Sequence, residues 1–294
     1  VAITLGINLP QTGNYDLTRD TVTAARAFEE IGYDSLWAFE RVLAPVDQSG
    51  PHGMWGLPDV PWPARYEMTT DPLITLALAA AVTTRPQLGT GVLIAPLHVP
   101  ARLAKSLASL DVASNGRLIA GLGTGWSIDE YDAVAPRPIA ERGAALDEFL
   151  QVAAAVWGPD PVEFANERWR ISPSRINPKP VRKIPVYLGG RGPAALRRIA
   201  RHADGWLPTN MPAHEVGATL ARLREMATDD RTLDVIFQLS VTEYDLPRLV
   251  DTVGALADAG VGHVYATIPA LLSSVDAVID RAAEFHTAVR KAGL

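Results

Sequence analysis

The chain has 294 residues, 48% of them hydrophobic, which is enough to bury a large core. A formal net charge of −6, with Lys and Arg scattered and no basic run, argues against a nucleic-acid or anionic-membrane surface. The absence of cysteine excludes disulfides, thiol nucleophiles and zinc–thiolate sites and is consistent with a cytoplasmic protein. The longest charge-free stretches, Pro72–Thr84 and Pro86–Ala101, fall short of the roughly 20 apolar residues of a membrane helix. No basic segment precedes the apolar VAITLGINLP start, so no signal peptide is expected.

Ala2–Leu9 suits a strand ended by Pro10, and Thr18 offers an N-cap for a helix closing at Gly32. Tyr33–Phe39 forms a second strand. The Pro-, Gly- and Trp-rich segment Glu40–Thr70 carries no period and is expected to be a long loop. Asp71-Pro72 caps a helix running to Val82. A third strand follows at Gln87–Ile94, and then a helix at Pro100–Ser114 that stops at Asn115-Gly116. Leu118–Leu122 is the fourth strand, and the WSIDEYDAVAP that follows is expected to be loop. Beyond the helix Glu141–Trp157, a second long insertion, Gly158–Lys183, precedes a fifth strand at Ile184–Leu188. The rest alternates regularly: helix Pro193–His202, strand Gly205–Leu207, helix Ala213–Ala227, strand Leu233–Val241, helix Leu246–Ala259, strand Val261–Ile268 and helix Ser274–Lys291.

Eight strands alternating with eight helices favour a single (β/α)8 TIM-barrel domain over residues 1–294, with insertions after the second strand and before the fifth. The G-x-G-x-G of Gly121, Gly123 and Gly125 is not a dinucleotide fingerprint, because its strand is internal and no helix opens directly from it. Chemistry in such barrels lies at the carboxyl ends of the strands.

Four strand ends stand out. After the second, Glu40 and Arg41 set an acid beside a base, either a proton donor or a local ion pair. In the third, Gly89 and Gly91 mark either a ligand's approach or a bend for closure, and His98 just beyond would act alone, without a partner at metal-ligand spacing. After the fourth, Trp126 could wall a planar cofactor, and the carboxylates Asp129, Glu130 and Asp132 read as solvated or helix-capping, not as a metal cage. After the fifth, Gly189-Gly190-Arg191-Gly192-Pro193 runs straight into a helix and offers free amides and a guanidinium to a phosphate. No nucleophile–base pair is evident, which favours a bound redox cofactor carrying its own chemistry.

These pieces in order, GYDSLWAFERV (Gly32–Val42), LGTGVLIAPLHVPARLAKSLASLDVASNGRLIAGLGTGW (Leu88–Trp126), ERGAALDEFL (Glu141–Leu150) and IPVYLGGRGPAALRRIARHADGW (Ile184–Trp206), resemble the bacterial luciferase-like monooxygenase superfamily. The run WAFERVLAPVDQSGPHG with Val60-Pro61-Trp62-Pro63 is most similar to its actinobacterial branch using the deazaflavin coenzyme F420; flavin mononucleotide (FMN) is the alternative. The resemblance implies that Gly91, Val92 and Ile94 back the tricyclic ring, that Gly123, Gly125 and Trp126 lie beside it, and that Gly189, Gly190, Arg191 and Gly192 hold the phosphate. Arg41 joins the cofactor set, and Glu40 and His98 are the acid–base candidates. Glu40-Arg41 stands where many relatives carry an acid followed by histidine. Trp126 stands where deazaflavin-dependent sugar-phosphate dehydrogenases carry a proton-donating glutamate, which disfavours a sugar phosphate.

The reading is therefore F420-dependent hydride transfer to or from a small organic substrate. The alternatives are an FMN-dependent monooxygenase and a barrel that binds such a ligand without turnover. The Glu40–Thr70 loop, with His52, Trp55, Trp62 and Tyr66, is the expected lid. The apolar helices at Pro72–Val82 and Pro100–Ser114 would suit a homodimer interface. No nucleic-acid or membrane partner is expected.

Overall fold

A computed structural model describes residues 2–227 and 233–294. In chain order the elements are β1 (Thr4–Asn8), α1 (Arg19–Ile31), β2 (Ser35–Ala38), α2 (Pro72–Val82), β3 (Gln87–Thr90), β4 (Leu93–Ile94), α3 (Pro100–Ala113), β5 (Leu118–Gly123), α4 (Ile128–Val134) and α5 (Arg142–Trp157). Then come β6 (Val162–Ala165), β7 (Arg170–Ser174), β8 (Val186–Leu188), α6 (Pro193–His202), β9 (Gly205–Trp206), α7 (Ala213–Met226), β10 (Asp234–Leu239), α8 (Leu246–Asp258), β11 (His263–Ala266) and α9 (Val275–Lys291). The sheet runs β3-β2-β1-β11-β10-β9-β8-β5-β4, and β3 also pairs β5, so it closes on itself. Every pairing within it is parallel. This is the expected eight-staved TIM barrel, its third stave built from two pieces, β3 and β4.

The staves are short because the closed sheet is buried on both faces, inside by its own side chains and outside by the helices. Inside, Trp37 of β2 stacks on Tyr265 of β11 with ring centroids 4.2 Å apart and planes within 8°. Trp37 Nε1 donates to Ser35 Oγ at 2.8 Å, and that hydroxyl meets His263 Nε2 at 2.7 Å. Burial pulls the His263 pKa down to about 3, so the ring is a neutral hydrogen-bonding group.

These large rings explain the glycines inside the third stave. A Cβ on Gly89 would lie 2.4 Å from the Trp37 ring, and one on Gly91 only 2.2 Å from the Tyr265 hydroxyl. Both glycines therefore make room for the barrel's own filling. The stave breaks between them and β4, at the cis Gly91-Val92 peptide. There the Thr90 hydroxyl donates to the Gly121 carbonyl at 2.8 Å and accepts from the Gly121 amide at 3.0 Å, joining the third stave to β5 where the backbone ladder lapses.

Several local expectations change. Thr18 precedes α1 without a side-chain cap; the Asp16 carboxylate accepts from the Thr18 and Arg19 amides instead. Asp71 caps α2 as expected, accepting from Leu73 and Ile74. The stretch expected to be loop after the fourth strand contains α4, and the second insertion contains the antiparallel hairpin β6–β7. Among the described residues no helix is long and apolar enough to cross a membrane.

The closure point is sterically exacting. A Cβ on Gly121 would sit 1.9 Å from the Thr90 carbonyl oxygen, whereas one on Gly262 would meet nothing within 4 Å. In urea denaturation Gly121→Ala is expected to destabilise the fold by about 3 kcal/mol or more, and Gly262→Ala to stay within about 0.5 kcal/mol.

Candidate active site

At the carboxyl end of β2 two adjacent charged side chains diverge. Glu40 is 5% exposed and crosses to the third stave. Its Oε2 accepts from the Ile94 amide at 2.6 Å, its Oε1 meets His98 Nε2 at 2.7 Å, and its own amide donates to the Val92 carbonyl at 3.1 Å. Both carboxylate oxygens are thus engaged on the segment that follows the break. A 3₁₀ turn over Ala95–Leu97 swings His98 back toward the acid. The histidine side chain remains 29% exposed and is the member of the pair with access to solvent. Burial pulls its pKa down, but the hydrogen bond and charge of Glu40, with a smaller contribution from Asp71, outweigh that and leave it raised. From the sequence Glu40 is either a proton donor or a local ion pair with Arg41, and His98 would act alone; the structure joins Glu40 to His98, 58 residues away.

Arg41 turns the other way. Its Nε donates to the Glu40 carbonyl at 2.7 Å, and a terminal nitrogen lies 3.2 Å from Glu130 Oε2. The guanidinium carbon is 4.9 Å from the Trp126 ring centroid and 5.5 Å from that of Trp62, and the two indoles are 4.7 Å apart. Glu130 also accepts from the Val42 amide at 2.8 Å. Its burial raises its pKa, while Arg41 and the amide oppose the rise. Expected to be solvated or helix-capping, Glu130 lies in the first turn of α4 and is one of the most buried carboxylates among the described residues. Asp129 is not free either, meeting His52 Nδ1 at 2.9 Å; Asp132 is exposed as expected.

The physical reason is α4, whose first turn carries these acids to the lid. Ser127 caps that helix by accepting from the Glu130 amide at 3.2 Å. The Ser-x-x-Glu spacing of Ser127–Glu130 is a helix-start signal that sequence reasoning passed over. The expected lid is held down by these contacts, with Trp62 Nε1 donating to the His52 carbonyl at 2.9 Å and Tyr66 lying 5.6 Å from Phe39. Trp55 is the exposed member of the expected set.

The glycine positions converge on Val92. A Cβ on Gly123 would meet a Val92 methyl at 2.8 Å, and one on Gly189 would lie 3.7 Å from the other. Gly125, at φ +68°, packs close to Ile94. So Val92 gathers the ends of the third stave, β5 and β8. Beyond β8 the chain turns through Gly190 at φ +115°, with the Gly190 carbonyl held by Trp206 Nε1 at 2.8 Å. Gly192 is the N-cap residue of α6, with open space where a side chain would be. Arg191 is exposed beside it, and the first-turn amides of α6 have no intrahelical acceptor.

The model of the family described as luciferase-like monooxygenase matches residues 4–243. The chain belongs to the luciferase-like monooxygenase family. An uncharacterized protein of Mycobacterium tuberculosis is 38% identical over 191 residues, covering 63% of this chain and 66% of that protein. The F420-dependent glucose-6-phosphate dehydrogenase of Amycolatopsis mediterranei is 30% identical over 232 residues, covering 74% of this chain and 64% of the relative. The matches thus span just under two thirds of these relatives' own length. Among solved structures, an F420-dependent secondary alcohol dehydrogenase in complex with an F420-acetone adduct superposes with a TM-score of 0.77 at 16% identity, covering 99% of this chain and all of that one.

The Glu40–His98 pair of this luciferase-like protein carries a pH signature. A histidine with a raised folded pKa stabilises the fold fully below its unfolded value of 6.5 and loses that contribution as pH rises through the folded value. His98→Gln is therefore expected to destabilise more at about pH 5 than at about pH 9, measured as the difference from wild type in denaturant midpoints. An equal loss at both would show that no charged pair forms.

Proposed function

We propose that the protein binds the deazaflavin coenzyme F420 across the Val92 hub and moves a hydride to or from a small organic substrate held under the Glu40–Thr70 lid. The observation that carries this reading is the convergence of Gly123 and Gly189 on Val92 beside the open Gly190–Gly192 turn. The arrangement leaves a flat backing with an anion cradle at its side. The residues fit the group. The start of α6 and Arg191 offer amides and a positive charge to a phosphate, and Gly192 leaves space for it. The names of the Amycolatopsis relative and of the superposed alcohol dehydrogenase support F420 over FMN.

When bound, a deazaflavin supplies two electrons as hydride. The protein's part is to bind, orient and manage a proton. Val92 and Ile94 back the ring, and Glu40 positions them by gripping the Ile94 amide. Glu40 has no carboxylate oxygen left over, so we assign it a positioning role and give the proton to His98, whose Nε2 it holds. Arg41 and Trp126, expected beside the cofactor, also pack into the lid clamp with Glu130 and Trp62. Trp126, not a carboxylate, stands directly after the glycines of β5, and sugar phosphates are not proposed as substrates.

Titration of the purified protein with oxidised F420 and with FMN, followed by ligand fluorescence, tests the cofactor. F420 is expected to bind more tightly; tighter FMN binding would move the protein to the flavin-dependent monooxygenases, the reading its family's description favours. Arg191→Ala is expected to weaken binding about tenfold, near the 1.4 kcal/mol of one exposed phosphate contact. His98→Gln is expected to keep cofactor affinity while slowing reduction of bound F420 across an alcohol and aldehyde panel. If no substrate in that panel changes the oxidation state of bound cofactor in wild type, a binding barrel without turnover becomes the better account.

A further inference from the structure

Asn8 closes β1 as the register partner of Trp37 and is 6% exposed. Gly6, two residues back and so on the same face, would put a Cβ 2.7 Å from the Trp37 ring nitrogen and 2.8 Å from Tyr265. The Asn8 side chain therefore points into the barrel, at its carboxyl-end mouth. Its Oδ1 is buried and has no hydrogen-bond partner among the described residues. An acceptor buried without a donor is costly, and such a group marks a place that a ligand or a water completes.

Gln238 brings a second amide to the same floor. It is the register partner of Tyr265, and it lies two residues beyond Ile236, which packs in the inner cluster with Trp37 and Tyr265. Each amide thus borders one ring of the stack that fills the barrel. Only β11 separates β1 from β10, so the two backbones are roughly 10 Å apart, two inter-strand spacings, and their side chains can grip one flat edge between them. On the other side of the mouth β3 and β8 are followed by Gly91 and Gly189, the first through Val92's cis peptide and the second beside the Val92 side chain. In the closed ring β8 is the stave opposite β1. A ligand with its phosphate at Gly190–Gly192 and its ring across Val92 therefore reaches toward Asn8.

We propose that Asn8 and Gln238 recognise the imide edge of the cofactor's pyrimidine ring, the carbonyl, N3–H, carbonyl face that deazaflavin and flavin share. A carboxamide matches that face in both senses. Asn8 Oδ1 accepts from N3–H while Nδ2 donates to one carbonyl, and the Gln238 amide donates to the other. The assignment rests on the cofactor reading and adds an orientation to it, with the imide edge turned inward against the Trp37–Tyr265 floor.

Fluorescence titration of the full chain with F420 and with FMN, each beside its N3-methyl derivative, tests this. The wild type is expected to bind the parent form about tenfold or more tightly than the methylated one, because the methyl group removes the donor and crowds Asn8. Asn8→Leu, close in volume, is expected to weaken the parent form about tenfold and to bring the two forms within about twofold of each other. A merely structural role for the amide would not produce that levelling. Should Asn8→Leu fold poorly, Asn8→Ala repeats the comparison. Gln238→Met is expected to weaken both forms severalfold and to keep the preference for the parent; unchanged affinity there would strike Gln238 from the assignment. Equal affinity of the wild type for parent and methylated forms, or a preference that survives loss of the Asn8 amide, would overturn the proposal while leaving cofactor binding intact. A wild type that binds neither F420 nor FMN would overturn the cofactor reading itself, and this assignment with it.

Discussion

Burying a carboxylate costs several kcal/mol unless donors replace its water. At the mouth of this barrel Glu40 meets that requirement from a single neighbouring stave, through the Ile94 amide and the His98 imidazole. The consequence runs both ways. The acid is tolerated only because the third stave breaks at Gly91-Val92 and presents a free amide inward, and the broken stave is held in register because the acid takes that amide up. The Val92 hub, the approach of Gly123 and Gly189 to it, and the direction of His98 all follow from this one cross-strand anchor.

Arg41 meets the same constraint by another route. Its charge is also withdrawn from water, between two indole faces and opposite Glu130 on α4. The two side chains diverge just beyond β2, so one dipeptide ties that strand end both to the third stave and to the Glu40–Thr70 segment and α4. The lid is accordingly a packed layer with its own charge pair and aromatic core. The Arg41–Glu130 pair is the interaction that opening would have to break or carry along, and breaking a buried pair is costly.

Much of the architecture was legible from local chemistry. Asp71-Pro72 starts a helix, Asn115 and Gly116 end one with positive φ, and Pro193 opens another because its missing N–H is no loss there. What was misread depends on distant partners. Gly89 and Gly91 could mark a ligand's approach or a bend for closure; the rings that crowd them belong to Trp37 and to Tyr265, the latter 174 residues beyond Gly91. The acids after β5 looked solvated because nothing adjacent to them in sequence pairs with them; Glu130 finds Arg41 across the mouth. Two local signals were misread: the Ser-x-x-Glu start of α4, and the cap of α1, which Asp16 supplies in place of Thr18.

The sequence by itself determined the βα rhythm, and hence the barrel, because strand and helix periods, caps and breakers act within a few residues. It also set out the glycines, arginine and proline that open α6, which are consecutive. Tertiary structure alone decided which charges meet. Glu40 with His98 and Arg41 with Glu130 are products of closure, which brings together residues too far apart along the chain for any local pattern to pair.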